Sequence, residues 1–156
     1  MTIDDLLARE AIRDTLAKYN TSGDRSRAEE YAACFTRDGI IESSDRKGGT
    51  GIYFAGRDAI LKWQTEWKSA PKGQNDGAVK RTAQFVRHNL TTCKIDMTGP
   101  DTASVRTYWV VVTDVGPDHS GVYVDEFRKE DGQWLIAHRK VRTDWFVANS
   151  HFGSPG

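Results

Sequence analysis

The hydrophobic period of this chain changes along its length, and that change restricts the folds open to it. Near the N-terminus, Ile3, Leu6, Leu7, Ala11, Ile12, Leu16 and Tyr19 recur at spacings of three and four, the mark of a helix with one apolar stripe. Thr2 or Asp4 is placed to cap it, and Gly23 after Asn20 is placed to end it. The second half reads instead as four long strand runs, at about 84–98, 102–115, 119–130 and 133–146. Gly99-Pro100-Asp101, Gly116-Pro117-Asp118 and Glu130-Asp131-Gly132 separate them with turn chemistry. Turns this short join antiparallel neighbours, so the runs make a meander. Helices first and a long sheet after predict an α+β layer architecture with the helices on one sheet face.

Between these halves, a second helix is expected from about Ser26 to Phe35, with Asp24 or Ser26 as its cap and Glu29 and Glu30 in its early turns. Residues 39–44 and 50–54 read as a hairpin around Arg46-Lys47-Gly48-Gly49. Gly56-Arg57-Asp58 opens a third helix, whose stripe is Ile60, Leu61, Trp63 and Trp67 and which Pro71 ends. The polar stretch Lys72 to Lys80 reads as a loop over something, a candidate lid.

The 156 residues suit a single domain spanning 1–156. With 22 basic and 22 acidic residues the formal charges cancel, and no basic stripe offers a footprint for nucleic acid. No apolar run approaches a membrane span, and the start lacks the pattern of a signal peptide. Cys34 and Cys93 lie far apart without a CxxC pair, which favours reduced thiols and a cytoplasmic protein. No histidine spacing of HxxxH type is present, and no glycine-rich loop runs from strand to helix. Neither a metal nor an organic cofactor is therefore expected.

The chemistry-bearing candidates are Asp24, just past the first helix, and His88, inside the first long strand run. If the fold brings them together in an apolar cavity, they form a carboxylate–imidazole dyad. Neutral imidazole titrates close to working pH, and a carboxylate on its other nitrogen fixes the tautomer. The plainer reading makes Asp24 a cap of the second helix and His88 a structural histidine. His119, beside a turn, reads as solvent-facing. His138 reads as sharing a face with Arg142, and His151 lies in the tail, which is placed either to cover the cavity mouth or to mediate assembly. Large rings are plentiful. Phe54, Trp63, Trp67, Phe85, Tyr108 and Phe146, with Leu90 and Asn20, are the candidate lining of a pocket for a hydrophobic small molecule.

Three segments carry a family resemblance that spans Ile3 to Phe152. They are Arg9-Glu10-Ala11-Ile12-Arg13-Asp14 leading to Tyr19 and Asp24, the phrase from Asp125 to Trp134, and Arg142-Thr143-Asp144-Trp145-Phe146 with His151-Phe152. The chain resembles the SnoaL-like branch of the nuclear transport factor 2-like superfamily. That resemblance implies a cone-shaped, curved antiparallel sheet wrapped around N-terminal helices, the cystatin-like α+β barrel roll. Within the branch it resembles the cofactor-free lyases scytalone dehydratase, hexachlorocyclohexane dehydrochlorinase and bile acid 7α-dehydratase. These imply Asp24 and His88 as the dyad, with Tyr19 and Arg142 as stabilisers of developing charge; ketosteroid isomerase-like relatives, in which a carboxylate carries the proton, leave the two dyad roles open to reversal. One departure is plain: scytalone dehydratase has a second histidine on a neighbouring strand, and the run Val105 to Val112 contains none. The resemblance also implies a homo-oligomer, trimer ahead of dimer. The same fold leaves open an isomerase or polyketide-cyclase-like enzyme using the same base. It also leaves open a non-catalytic module like a ring-hydroxylating dioxygenase β subunit.

Overall fold

A computed structural model describes residues 1–69 and 83–153. Helix α1 (Ile3–Asp24) starts with a reciprocal cap: Thr2 Oγ1 accepts from the Asp5 amide at 3.1 Å, and Asp5 accepts from the Thr2 amide at 2.7 Å. Ala8, Ile12, Leu16 and Tyr19 form its buried stripe; Ile3, Leu6 and Leu7, expected in it, are exposed because the first turns of the helix extend past the sheet's core. The helix does not stop at Gly23. It continues through Asp24, and the chain then breaks at Ser26, whose φ of 61° is left-handed. Helix α2 is the five residues Ala28–Ala32, much shorter than the periodicity predicts, and no side chain caps its N-terminus. Asp24 is thereby excluded as its cap. Phe35, expected to end that helix, instead begins strand β1 and is completely buried.

Strands β1 (Phe35–Asp45) and β2 (Thr50–Ala55) form the expected hairpin, and Asp45 Oδ1 accepts from the Lys47 and Gly49 amides at 2.8 Å to hold its turn. Helix α3 (Arg57–Ser69) comes next. The candidate lid at residues 72–80 and the stop at Pro71 lie outside the described residues. The four long strands are β3 (Arg87–Gly99), β4 (Thr102–Thr113), β5 (Gly116–Glu130) and β6 (Gln133–Phe146).

The sheet order is β2-β1-β6-β5-β4-β3. All neighbours are antiparallel except β1 and β6, which run parallel. The curved antiparallel sheet expected is present, with β1–β6 as its one parallel pair. The cause is where α2 delivers the chain: the Ile136 amide donates to Cys34 O at 2.9 Å, and Phe35 pairs with Ile136. Docked there, β1 must run alongside β6. Register shifts recur in β3, β4, β5 and β6, and such bulges bend and twist a sheet. The result is a six-stranded curved sheet that does not close, with β2 and β3 as its edges.

Strand β4 shows how the faces divide. Its residues alternate strictly between exposed and buried from Thr102 to Trp109. Ala103, Val105, Trp109 and Val111 share one buried core with Ile12, Leu16 and Tyr19 of α1. The helices therefore cover the inner face, and Arg106, Tyr108 and Val110 belong to the outer one. Each large side chain buried here stabilises the fold by roughly 1.5–3 kcal/mol. Among the described residues, no helix is long and apolar enough to cross a membrane.

One polar group lies deep in this core. The Arg139 guanidinium is wholly buried, bonded to both oxygens of Asp125 at 2.8 and 2.6 Å. It lies between the Tyr19 and Tyr123 rings, 4.0 and 4.1 Å from their centroids.

Candidate active site

Asp24 and His88 meet. Asp24 is the last residue of α1, and its carboxylate takes two bonds from the second residue of β3. Oδ1 lies 2.6 Å from His88 Nδ1, and Oδ2 accepts from the His88 backbone amide at 3.0 Å. The amide bond fixes the carboxylate to the strand, so the ring nitrogen has a stationary partner. An ionised carboxylate only accepts hydrogen bonds. In the neutral imidazole the proton must then sit on Nδ1, leaving a lone pair on Nε2. The Asp24 side chain is 8% exposed and that of His88 28%, so the ring is held from the protein side and reachable from the other.

Strand register shows what surrounds the ring. His88 pairs with Val111, Val111 with His119, and His119 with Phe146. Laterally paired residues share a face, so His88, His119 and Phe146 form one row on the inner face. The next row brings Leu90, Trp109 and Gly121 together. The Trp109 ring lies 6.4 Å from His88 and stacks on Tyr123 at 5.6 Å. Gly121 is the one residue type that permits this: an added Cβ would sit 2.6 Å from Trp109 Cζ2 and 1.9 Å from the Arg142 carbonyl. Tyr123 Oη donates to Asn20 Oδ1 at 3.4 Å, and Asn20 lies one helical turn before Asp24.

A second acid–imidazole pair lies beside the first. His119 Nδ1 is 2.7 Å from Asp118 Oδ1, and the two side chains are 11% and 0% exposed. The expectation of a solvent-facing His119 is wrong, and a bulge explains why. Between Val111↔His119 and Val112↔Pro117 the register gains a residue at Asp118, which turns adjacent side chains inward together. Burial alone would push the Asp118 carboxyl up. Hydrogen bonds from Ser150, the His151 amide and His119 outweigh it and hold the group below its ordinary value. Burial likewise lowers His119, against the raising effect of Asp118. The tail closes this corner: Ser150 Oγ bonds Asp118 at 2.5 Å, and the Phe152 ring lies 5.0 Å from His119.

Several predicted site residues go elsewhere. Arg142 and Tyr108 lie on the outer face: Tyr108 pairs with Val122 and Val122 with Arg142, one position out of step with the Trp109 row. Arg142 is half exposed and bonds Asp144 at 2.8 Å, and Tyr108 is 46% exposed. These residues, with Thr91, Arg106 and Val110, line a groove of about 440 Å³ on that outer face. Arg142 is therefore corrected from stabiliser of the dyad's chemistry to outer-face residue, and Tyr108 from pocket wall to surface. His138 shares the outer side with Arg142 as its spacing predicts, and bonds Glu42 at 2.7 Å.

Tyr19 is inward but committed. Its hydroxyl accepts from Tyr31 at 2.6 Å, and Arg139 lies over its ring. Burial raises its pKa despite the neighbouring guanidinium. Phe85, 41% exposed, packs with Arg87 ahead of β3. Phe54 and Trp63 stack at 4.9 Å on the α3 side of the core, and Trp67 is half-buried a turn further along that helix. Sequence reasoning missed Trp109, Tyr123, His119 and Asp118 as site residues. Counting alternation in β4 back from the buried Val111 finds Trp109; nothing short of the bulge finds Asp118 and His119. Among the described residues, no three His, Cys, Asp or Glu side chains converge as a metal site.

Comparison with known proteins places this geometry. No curated protein matches the sequence. The similar solved structures include a scytalone dehydratase-type protein from Novosphingobium aromaticivorans (24% identity, 99% of this chain and 97% of that one, TM-score 0.73). The β subunit of an aromatic-ring-hydroxylating dioxygenase from the same organism has 20% identity over 97% and 99% of the two chains, TM-score 0.73. Hexachlorocyclohexane dehydrochlorinase LinA-type3 from Novosphingobium barchaimii LL02 has 19% identity over 98% and 99%, TM-score 0.67. Such likenesses establish a shared fold. Residues 4–140 match the SnoaL-like domain; the chain belongs to the SnoaL-like family.

Proposed function

We propose that this protein is a cofactor-independent lyase of the dehydratase or dehydrohalogenase type, acting on a hydrophobic small molecule. The observation that carries this is the pair of hydrogen bonds that the Asp24 carboxylate accepts from the ring and the backbone of one residue, His88. A scaffold needs one such bond, and a base needs both a fixed ring and a fixed tautomer. His88 Nε2 would take a proton from the carbon next to the departing group. The C–H pair becomes the new double bond, and the leaving group departs with its own electron pair. Asp24 stabilises the imidazolium that forms, and a positioned base of this kind contributes about 10²–10⁴-fold in rate. Leu90, Trp109 and Phe146 supply the apolar walls around the ring.

His119 favours one second reading, isomerisation, because a second anchored imidazole on the same face can return a proton at a different carbon. A panel of β-hydroxy and β-chloro compounds on one- and two-ring skeletons tests both. Release of water or chloride, lost in His88→Gln and Asp24→Asn, supports the lyase. Solvent deuterium in an unrearranged or double-bond-shifted product, without release, supports the isomerase. Wild-type protein inert in every assay would return the chain to the assembly role that the dioxygenase β subunit suggests. We place the protein in the cytoplasm, consistent with two cysteines that form no disulfide, and as a homo-oligomer joined through its outer face, trimer ahead of dimer.

A further inference from the structure

Arg106 breaks a rule of sheet pairing on the outer face. It stands directly opposite Lys94 across the β3–β4 ladder, and like charges placed so are unfavourable. The same lateral row runs on through Val124 to Lys140. Asp96 offsets Lys94 at 2.8 Å and Glu42 offsets Lys140 at 3.8 Å, but Arg106 has no acidic partner among the described residues. It lines the outer groove of about 440 Å³ with Tyr108, Val122 and Arg142 of the next row. Register shifts flank this hollow, between Leu90 and Cys93 in β3 and between Ser120 and Gly121 where β5 meets β6. Val122, 5% exposed yet outside the inner core, forms the floor with Val110. Arg142 gives Nε and Nη2 to Asp144 at 2.8 and 3.4 Å, which leaves its Nη1 uncommitted.

We propose that this groove is a second binding site, separate from the dyad, for a monocarboxylate on a flat apolar ring, with Arg106 as its anchor. The charge count sets the ligand class. Two guanidinium groups against the one carboxylate of Asp144 leave a single positive charge, which matches a singly charged acid and not a phosphate dianion. A guanidinium presents a planar fork that fits both oxygens of a carboxylate. With the acid group on Arg106, the ring body lies over Val110 and Val122 beside Tyr108, and the groove has the volume of a small-molecule pocket. Assembly through the outer face raises the demand for such an anion. A second copy laid over the groove takes Arg106 out of water, and a guanidinium buried without a partner is costly. Arg106 and His88 lie on opposite faces of the sheet, so the groove holds its ligand without obstructing the inner cavity.

The test is calorimetric titration with β-naphthoate and with β-naphthamide, the same skeleton without the charge. Wild-type protein should bind the acid at least about tenfold more tightly than the amide, the worth of one charge-assisted pair. Arg106→Gln should remove that preference by weakening the acid roughly tenfold, and it should leave the amide unchanged. His88→Gln should bind both probes as wild type does, because it alters the other face of the sheet. A second readout needs no variant for its signal: in protein labelled with ¹⁵N at arginine, β-naphthoate should shift the Arg106 Nε–H resonance and β-naphthamide should not. Equal affinity for the two probes, no β-naphthoate binding at millimolar concentration, or a preference that survives Arg106→Gln overturns the proposal. A preference lost in His88→Gln would put the acid in the inner cavity and overturn it as well.

Discussion

Replacing Asp24 by Asn turns one carboxylate oxygen into an NH2 group, and the two bonds that the carboxylate serves decide the consequence. It fills two acceptor roles, to the His88 amide at 3.0 Å and to Nδ1 at 2.6 Å. Asn has one oxygen for two places. Were it to face Nδ1, its NH2 would oppose the backbone N–H, donor against donor, and that amide cannot adapt. Were it to face the backbone, its NH2 would oppose Nδ1, and the imidazole adapts by moving its proton to Nε2. The second arrangement wins because a tautomer shift costs little and a stranded backbone N–H costs about 1–3 kcal/mol. Stability should fall by the worth of one charge-assisted bond, roughly 1.5–3 kcal/mol. For a chain of 156 residues that lowers Tm by about 4–10 °C. Proton abstraction should fall much further, about 10³-fold, because the nitrogen that must accept the proton now carries one. Long-range ¹⁵N–¹H NMR of the imidazole reports the tautomer, and thermal unfolding reports the stability. A folded Asp24→Asn variant that keeps Nδ1 protonated and retains wild-type turnover would refute this reasoning.

Three other outcomes come from the same geometry. Arg139→Met strands the buried Asp125 carboxylate and should cost about 3–5 kcal/mol in chemical denaturation, and adding Asp125→Leu should recover most of it; failure of the double variant to recover would show that the stacked tyrosines need the guanidinium itself. Burial lowers His119 below the ordinary 6.5, so protonation opposes folding: its contribution is whole above about pH 6.5 and declines as pH falls from there to the lower folded-state value. His119→Gln should flatten that part of a stability–pH curve, and an unchanged slope would contradict it. Tyr108→Glu on the outer face, where Tyr108 is 46% exposed, should convert the assembly to monomers by light scattering without altering thermal unfolding of the chain; a wild-type monomer would remove the oligomer from the account.

Helix α1 and its meeting with the sheet were legible in sequence because they rest on local periodicity and on matched positions along the chain. Ile12, Leu16 and Tyr19 of the helix stripe and the turns at 99–101 and 130–132 needed no knowledge of partners. Ile3, Leu6 and Leu7 instead lie exposed, and Ala8 takes a buried place that the spacing reading had not given it. Arg142 was misplaced because a side chain's face depends on lateral register, and the bulge between Ser120 and Gly121 resets that register in β6. His119 was misread because Gly116-Pro117-Asp118 has turn composition yet lies within β5, where one extra residue aims two neighbours inward. Helix α2 fell short because Phe35 is worth more buried in β1 against Ile136 than on one more helical turn.

Deuterium uptake at the α carbon of β-tetralone in heavy water tests the central claim most directly, because it reads proton removal without requiring a leaving group. Wild-type protein should catalyse the exchange, and a folded His88→Gln variant should show only the solvent rate. Exchange that proceeds equally in both, or in neither, would contradict His88 as the base.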